Sequence, residues 1–140
     1  MSERYLRSIR LLAECMQQFE KQSGTFIRQL GLTHAQFDII ATLGNTTGMS
    51  CKELGEKTLI TKGTLTGVLD RLIAKELISR TRSCQDRRHF FVCLTPKGEQ
   101  VFTDTFPKVI SMMQQRFDDY DVADFISLEQ QLSKLKARLE

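Results

Sequence analysis

The chain is poor in the groups that carry covalent or metal chemistry. It has two histidines, His34 and His89, and four cysteines, Cys15, Cys51, Cys84 and Cys93, with no C-x-x-C spacing among them. That pattern argues against a metal centre, and the unpaired cysteines fit a reducing, cytoplasmic setting. No serine–histidine–acid or cysteine–histidine grouping stands out, and there is no glycine-rich phosphate loop. No catalytic residue, cofactor or metal ligand is therefore nominated, and an enzyme is not expected. No apolar run approaches the roughly 18 residues of a membrane span. The early charges Glu3, Arg4, Arg7 and Arg10 do not suit a signal peptide. Repeats and low-complexity linkers are absent, and 140 residues predict one domain. Four acids, Asp118, Asp119, Asp121 and Asp124, cluster between two helical patterns. They read as a solvated connection rather than a cation site.

What is present is concentrated between Ser50 and Gly98. Ser50-Cys51-Lys52-Glu53 has the form of a capping box opening a short helix, in which Leu54 faces inward and Gly55 lets another helix approach. Thr58-Leu59-Ile60 makes a turn, and Thr61 is the expected cap of a second helix over 62–75. Leu65, Val68, Leu69 and Leu72 fall at i, i+3, i+4, i+7 and form a stripe toward the core. The opposite face carries Lys62, Gly63, Thr66, Gly67, Asp70 and Arg71. Two poor helix formers on one face call for close approach to something bulky. A DNA duplex satisfies that need, with threonines at base edges and Lys62 and Arg71 at phosphates. Packing against another part of the chain would satisfy it too.

The next segment reads as a β-hairpin, 78–83 and 90–94, around Cys84-Gln85-Asp86-Arg87-Arg88-His89. Residues 61–90 hold seven Lys and Arg against three acids, a local balance of +4 in a chain whose net charge is +3. All the net positive charge thus sits on one helix-turn-helix and its hairpin, which favours a polyanionic partner over an ordinary solvated face.

Leu77-Ile78-x-Arg80, then Asp86-x-Arg88, then Leu94-Thr95-Pro96-Lys97-Gly98 resemble the signature of the MarR family. Leu32-Thr33-x-x-Gln36-Phe37 resembles that family's segment ahead of its helix-turn-helix, and the likeness extends over nearly the whole chain. The resemblance implies a dimeric winged-helix transcriptional regulator. The expected fold is mainly α with a small β-hairpin wing, a winged helix-turn-helix over about 32–98 flanked by dimerisation helices over about 1–31 and 99–140. It also implies that Asp86 braces the wing and Arg88 enters the minor groove, where a narrow A·T-rich groove has enhanced negative potential. The face with Thr64, Thr66 and Gly67 then reads the major groove. The DNA-binding candidates are Ser50, Thr61, Lys62, Gly63, Thr64, Thr66, Gly67, Arg71, Arg82, Arg87 and Arg88.

The two ends of the chain carry surplus apolar surface. One helix over 4–30 aligns Leu6, Ile9, Leu12, Ala13, Met16 and Phe19. A second, over 96–117, bears Phe102, Phe106, Val109, Ile110, Met113 and Phe117, with a kink expected near Thr103-Phe106 because Pro107 lies inside it. A third repeats Phe125, Leu128, Leu132, Leu135 and Leu139. Such surfaces suit a two-fold homodimer, with its recognition helices about one DNA turn, roughly 34 Å, apart. The resemblance further implies release from DNA by a small aromatic or lipophilic effector. Met16, Phe19, Phe37, Met112 and Met113 are the candidate walls, although all five also suit an ordinary core.

Two other readings compete. Cys51, at a helix N-terminus, and Cys84, among arginines, are candidates for redox control. Cys15 does not coincide with the reactive cysteine of the family's organic-hydroperoxide sensors, since it lies more than a turn closer to Leu32-Thr33. A Cys84–Cys93 disulfide is not expected: a symmetric hairpin sets them on the order of 13 Å apart. The third reading is a protein-docking module, for which the basic hairpin and small-residue face are poor equipment.

Overall fold

The computed structural model describes residues 3–82 and 90–140, and for Arg82 the backbone alone. Two compact units emerge, Met1–Val109 and Ile110–Glu140. The first contains α1 (Arg4–Gln29), α2 (His34–Leu43), β1 (Met49–Ser50), α3 (Cys51–Thr58), α4 (Lys62–Ala74), β2 (Ile78–Arg82) and β3 (Phe90–Leu94). α5 (Pro96–Gln114) crosses the boundary, a 3₁₀ turn follows at Gln115–Phe117, and α6 (Val122–Leu139) ends the chain. No helix among the described residues is long and apolar enough to cross a membrane.

The first unit folds around one core. Ile27 of α1, Ile39, Ile40 and Leu43 of α2, Leu54 of α3 and Leu69 and Leu72 of α4 are almost fully buried there. α2 starts where the sequence says it must. Thr33 Oγ1 accepts from Gln36 N at 3.1 Å and Gln36 Oε1 accepts from Thr33 N at 3.2 Å, a complete capping box. α3 has only half of the expected box. Ser50 Oγ accepts from Glu53 N at 3.1 Å, but the Glu53 carboxylate turns to Lys57, 3.6 Å away. Gly55 is not needed for the approach of α4 either. A Cβ there would rest 3.5 Å from Leu65, an ordinary contact.

The hairpin expected over 78–94 is part of a three-stranded antiparallel sheet in the order β1-β3-β2. β1 has two residues, too few to leave a periodic signal, and pairs Met49 with Val92. Gly48 makes that pairing possible: at φ 109° its Cα lies where a side chain would crowd the Val92 carbonyl. Across the other edge Cys93 faces Ser79, with Sγ and Oγ 3.3 Å apart. Cys93 is a free thiol, and its cross-strand partner is five residues short of Cys84.

α4 ends in a Schellman motif. Leu77 N bonds Leu72 O at 3.0 Å and Glu76 N bonds Ile73 O at 2.9 Å, with Glu76 left-handed at φ 63°. The segment after β3 clamps this turn. Thr95 donates its N–H to Leu77 O (3.1 Å) and its hydroxyl to Glu76 O (2.6 Å), and accepts from Gly98 N (3.0 Å). A Cβ on Gly98 would overlap the Leu77 carbonyl oxygen. Farther along, α5 runs through Pro107 without interruption. Phe102 and Phe106 stack with centroids 5.0 Å apart, and Gly44 sits against the Phe102 ring with no room for a side chain.

The second unit is small. Phe117, Tyr120 and Phe125 form an aromatic triad with centroids 4.7–6.0 Å apart. Asp121 and Asp124 each accept the other's backbone N–H at 3.0 Å, so two of the four clustered acids cap α6. No residue of α6 is buried.

The two glycines predict opposite alanine effects. Gly55→Ala is expected to raise unfolding stability by about 0.5–1 kcal/mol, because the site tolerates a methyl and alanine is the better helix former. Gly98→Ala is expected to lower it by about 1–3 kcal/mol through overlap with the Leu77 carbonyl. Urea denaturation of both variants checks the pair. A second expectation concerns His34, whose Nδ1 lies 3.5 Å from Asp38 Oδ2. The hydrogen bond to Asp38 and the charges of Asp38 and Glu20 raise its pKa, against burial that lowers it. A raised folded-state pKa gives stability that is complete below the unfolded value of about 6.5 and lost as pH rises through the folded value. His34→Gln should therefore cost stability near pH 5.5 and have little effect near pH 8.5, read by denaturation at both.

Candidate nucleic-acid interface

α3, the turn Leu59–Thr61 and α4 form the helix-turn-helix. Leu59 holds the left-handed conformation at φ 60° that closes α3, and its side chain is 87% exposed. The turn aims α4 so that Leu65, Val68, Leu69 and Leu72 go into the core. Thr61, Lys62, Gly63, Thr64, Thr66, Gly67, Asp70 and Arg71 all remain exposed. Thr61 occupies the N-cap position but does not cap with its side chain. Its hydroxyl donates instead to Thr64 Oγ1 at 3.1 Å, which ties two candidate base-reading hydroxyls together.

Gly63 and Gly67 decide between the two explanations of this face. A Cβ at either position meets nothing within 4 Å. The glycines therefore accommodate no other described part of the chain, and the face is unobstructed. Its single acid, Asp70, is neutralised: Arg80 of β2 places Nη2 3.2 Å from Asp70 Oδ1. The face presented outward is thus polar, small and cationic at Lys62 and Arg71. Arg80 was not among the sequence-derived site residues. The one signal for it was the single acid on an otherwise basic face, which attracts a nearby cation.

The remaining candidates distribute unevenly. Ser50 is half-buried with its oxygen engaged as the α3 cap, leaving the hydroxyl proton available. Arg82 lies at the end of β2. Cys84, Asp86, Arg87 and Arg88 lie outside the described residues. Cys51 is a half-buried free thiol in the first turn of α3. It lines a pocket of about 570 Å³ between α3 and α4, floored by Ile60, Leu65 and Leu69 and edged by Lys52, Lys62 and Arg80. Among the effector-wall candidates, Met16 and Phe19 are exposed on α1 and Phe37 is buried, stacked on Phe106 at 6.4 Å. Met112 is half-buried and Met113 buried, both in the second unit.

The C-terminal end of α4 is joined to three other elements. Lys75 Nζ donates to Gly31 O (3.2 Å), just past α1, and to Gln36 Oε1 (2.9 Å) in α2. The Lys75 carbonyl accepts from Lys97 Nζ of α5 at 3.2 Å. No sequence pattern announces these links, which span 44, 39 and 22 residues.

Known proteins with this architecture are numerous. A sequence model of the MarR family matches residues 32–90. The HTH-type transcriptional regulator MhqR of Bacillus subtilis is 30% identical over 107 residues, 76% of this chain and 74% of MhqR. The structure of Bordetella bronchiseptica BpsR, whose DNA binding is regulated by 6-hydroxynicotinic acid, superposes with a TM-score of 0.79 at 27% identity, covering 91% of each chain. A mutant of MarR from E. coli, complexed with operator DNA, gives a TM-score of 0.83 at 23% identity and covers 95% of this chain and 96% of that one. This last likeness concerns the fold.

The open glycine face predicts a separation of stability from binding. Gly67→Leu should leave stability unchanged or raise it by up to about 1 kcal/mol, since nothing opposes a side chain there and glycine is the weaker helix former. The same change should weaken duplex binding at least tenfold by standing the helix off the groove. Thermal unfolding and fluorescence anisotropy on one preparation measure the two effects.

Proposed function

Because the chain belongs to the MarR family of transcriptional regulators, we propose that it acts as a homodimeric repressor that binds a pseudo-palindromic operator and is released by a small aromatic or lipophilic effector. The observation that carries the DNA reading is the unobstructed face of α4, with Gly63 and Gly67 bare and Asp70 compensated. A duplex can approach that face closely without displacing any described part of the chain. In this reading Thr61, Thr64 and Thr66 meet base edges, and Lys62, Arg71 and Ser50 meet phosphates. Arg82 and Arg87 add backbone contacts, Arg88 enters the minor groove, and Asp86 braces the wing. The regulation of BpsR's DNA binding by 6-hydroxynicotinic acid supports both the DNA reading and the effector reading.

The homodimer rests on surface chemistry. Among the described residues, the large exposed apolar side chains lie mainly on α1 and in residues 110–140, and only Leu59, Phe90 and Phe91 lie elsewhere. A two-fold pairing through these surfaces supplies the duplicated recognition helix that a pseudo-palindrome requires. Effector release then needs a ligand that prefers the dimer state whose helices no longer match the half-site spacing. Within the first unit, Met16, Phe19 and Phe37 remain the proposed walls of that site.

Selection of bound duplexes from a random pool, followed by a salt titration, tests the reading. The expected result is a two-fold symmetric motif whose affinity falls steeply with salt, by about 0.9 log unit per log unit of salt for each phosphate neutralised. Folded dimer that selects no motif, or binding indifferent to salt, would overturn it.

A further inference from the structure

Among the large apolar side chains of the described residues, Leu59 is the most exposed, at 87%, and it lies outside the surfaces proposed for the homodimer. A single exposed leucine needs no explanation by itself. Its backbone does. Leu59 sits at φ 60°, in the left-handed region where a Cβ crowds the chain and where glycine or asparagine is the usual occupant. The other two described non-glycine residues in that region have local reasons to be there. Asn45 is of the tolerated type, and Glu76 completes the Schellman turn with its carbonyl held by the Thr95 hydroxyl. Leu59 closes α3 through its backbone alone, donating its N–H to Gly55 O at 2.9 Å. Glycine would close the helix with less strain. Left-handed caps often bring an apolar contact with them, but this one leaves its side chain in water.

A strained residue with no internal return points to function when its position suits one. The next residue, Ile60, packs against the core, and the exposed residues Thr61, Lys62, Gly63 and Thr64 follow without a break. Leu59 therefore adjoins the N-terminal end of α4, beside the face that is open to a duplex. An aliphatic side chain gains nothing from a phosphate. The apolar group that a duplex offers in its major groove is the C5 methyl of thymine.

We propose that Leu59 is a specificity-determining residue, whose side chain packs against a thymine methyl at the edge of the major groove in each half-site. The proposal rests on the DNA-binding reading above and adds an apolar base contact from outside α4. Burial of leucine against that methyl offsets, in the complex, the strain that the free chain carries. A contact of this kind reads sequence, because no other base presents a methyl there.

Replacing thymine by deoxyuridine removes the methyl and leaves base pairing intact, which gives the test. The probe is a duplex recovered by the random-pool selection, with its thymines replaced one symmetric pair at a time. The proteins are the wild type, Leu59→Gly and Leu59→Asn. Both substitutes accept a left-handed backbone, so both should unfold at the same or a higher urea concentration than wild type. Binding is read by fluorescence anisotropy. At one thymine pair the wild type should lose about fourfold in affinity for each methyl removed. Both variants should bind the unmodified duplex more weakly by at least the same factor, and should be indifferent to that replacement. A wild type indifferent at every thymine, or a selected motif without thymine, overturns the proposal. So do variants that keep wild-type affinity, and variants that bind weakly yet still discriminate at the same thymine. A folded wild-type dimer that selects no motif removes the DNA-binding reading itself, and this contact with it.

Discussion

The rotational setting of α4 is the constraint on which the rest depends. Leu65, Val68, Leu69 and Leu72 occupy one side of the helix and are all buried. At roughly 1.5–3 kcal/mol for each side chain withdrawn from water, a rotation that exposed them has no compensation, since the opposite face offers only glycine, threonine and charge. Burying the leucines therefore presents Lys62, Gly63, Thr66, Gly67 and Arg71 as its geometric consequence. The recognition surface follows from what the core requires, and its composition is left free to be selected for what it meets outside.

Axial position has a separate origin. The Schellman turn at Glu76, the Thr95 clamp and the two lysines Lys75 and Lys97 anchor the C-terminal end of α4 to α1, α2 and α5. Among the described residues the N-terminal end has no such tie, and its Thr61 and Thr64 hydroxyls bond to each other.

Most of this architecture was legible in the sequence, for identifiable reasons. α4 announced itself through four apolar residues at helical spacing and α2 through its Thr33–Gln36 box. The Leu94-Thr95-Pro96-Lys97-Gly98 string matched a family pattern, and the structure supplies its physical cause. Thr95 clamps the turn after α4, Lys97 holds the Lys75 carbonyl, and Gly98 must be bare beneath Leu77. Other features left no local trace. β1 is two residues long and exists only because β3 offers it an edge. The Asp70–Arg80 pair joins a helix to a strand, and Lys75 reaches 39 and 44 residues back. Capping was read too generously at Glu53 and Thr61, where nearby side chains offered other partners. Motif spacing cannot reveal such competition, because it is decided by what stands beside the side chain in three dimensions.

The C-terminal unit carries the argument for association furthest. α6 has 18 residues and no buried side chain. An isolated helix of that length is only marginally stable in water, even with a complete capping box at its start, because helices in proteins draw most of their stability from packing an apolar face. Yet Phe125, Leu128 and Leu132 remain exposed, and Val122 is 72% exposed. In the proposed homodimer a partner surface would supply that packing, and folding of this unit would be linked to assembly. Linkage of that kind makes apparent stability rise with protein concentration. Under the homodimer proposal, loosening the pairing of protomers would also withdraw packing from α6.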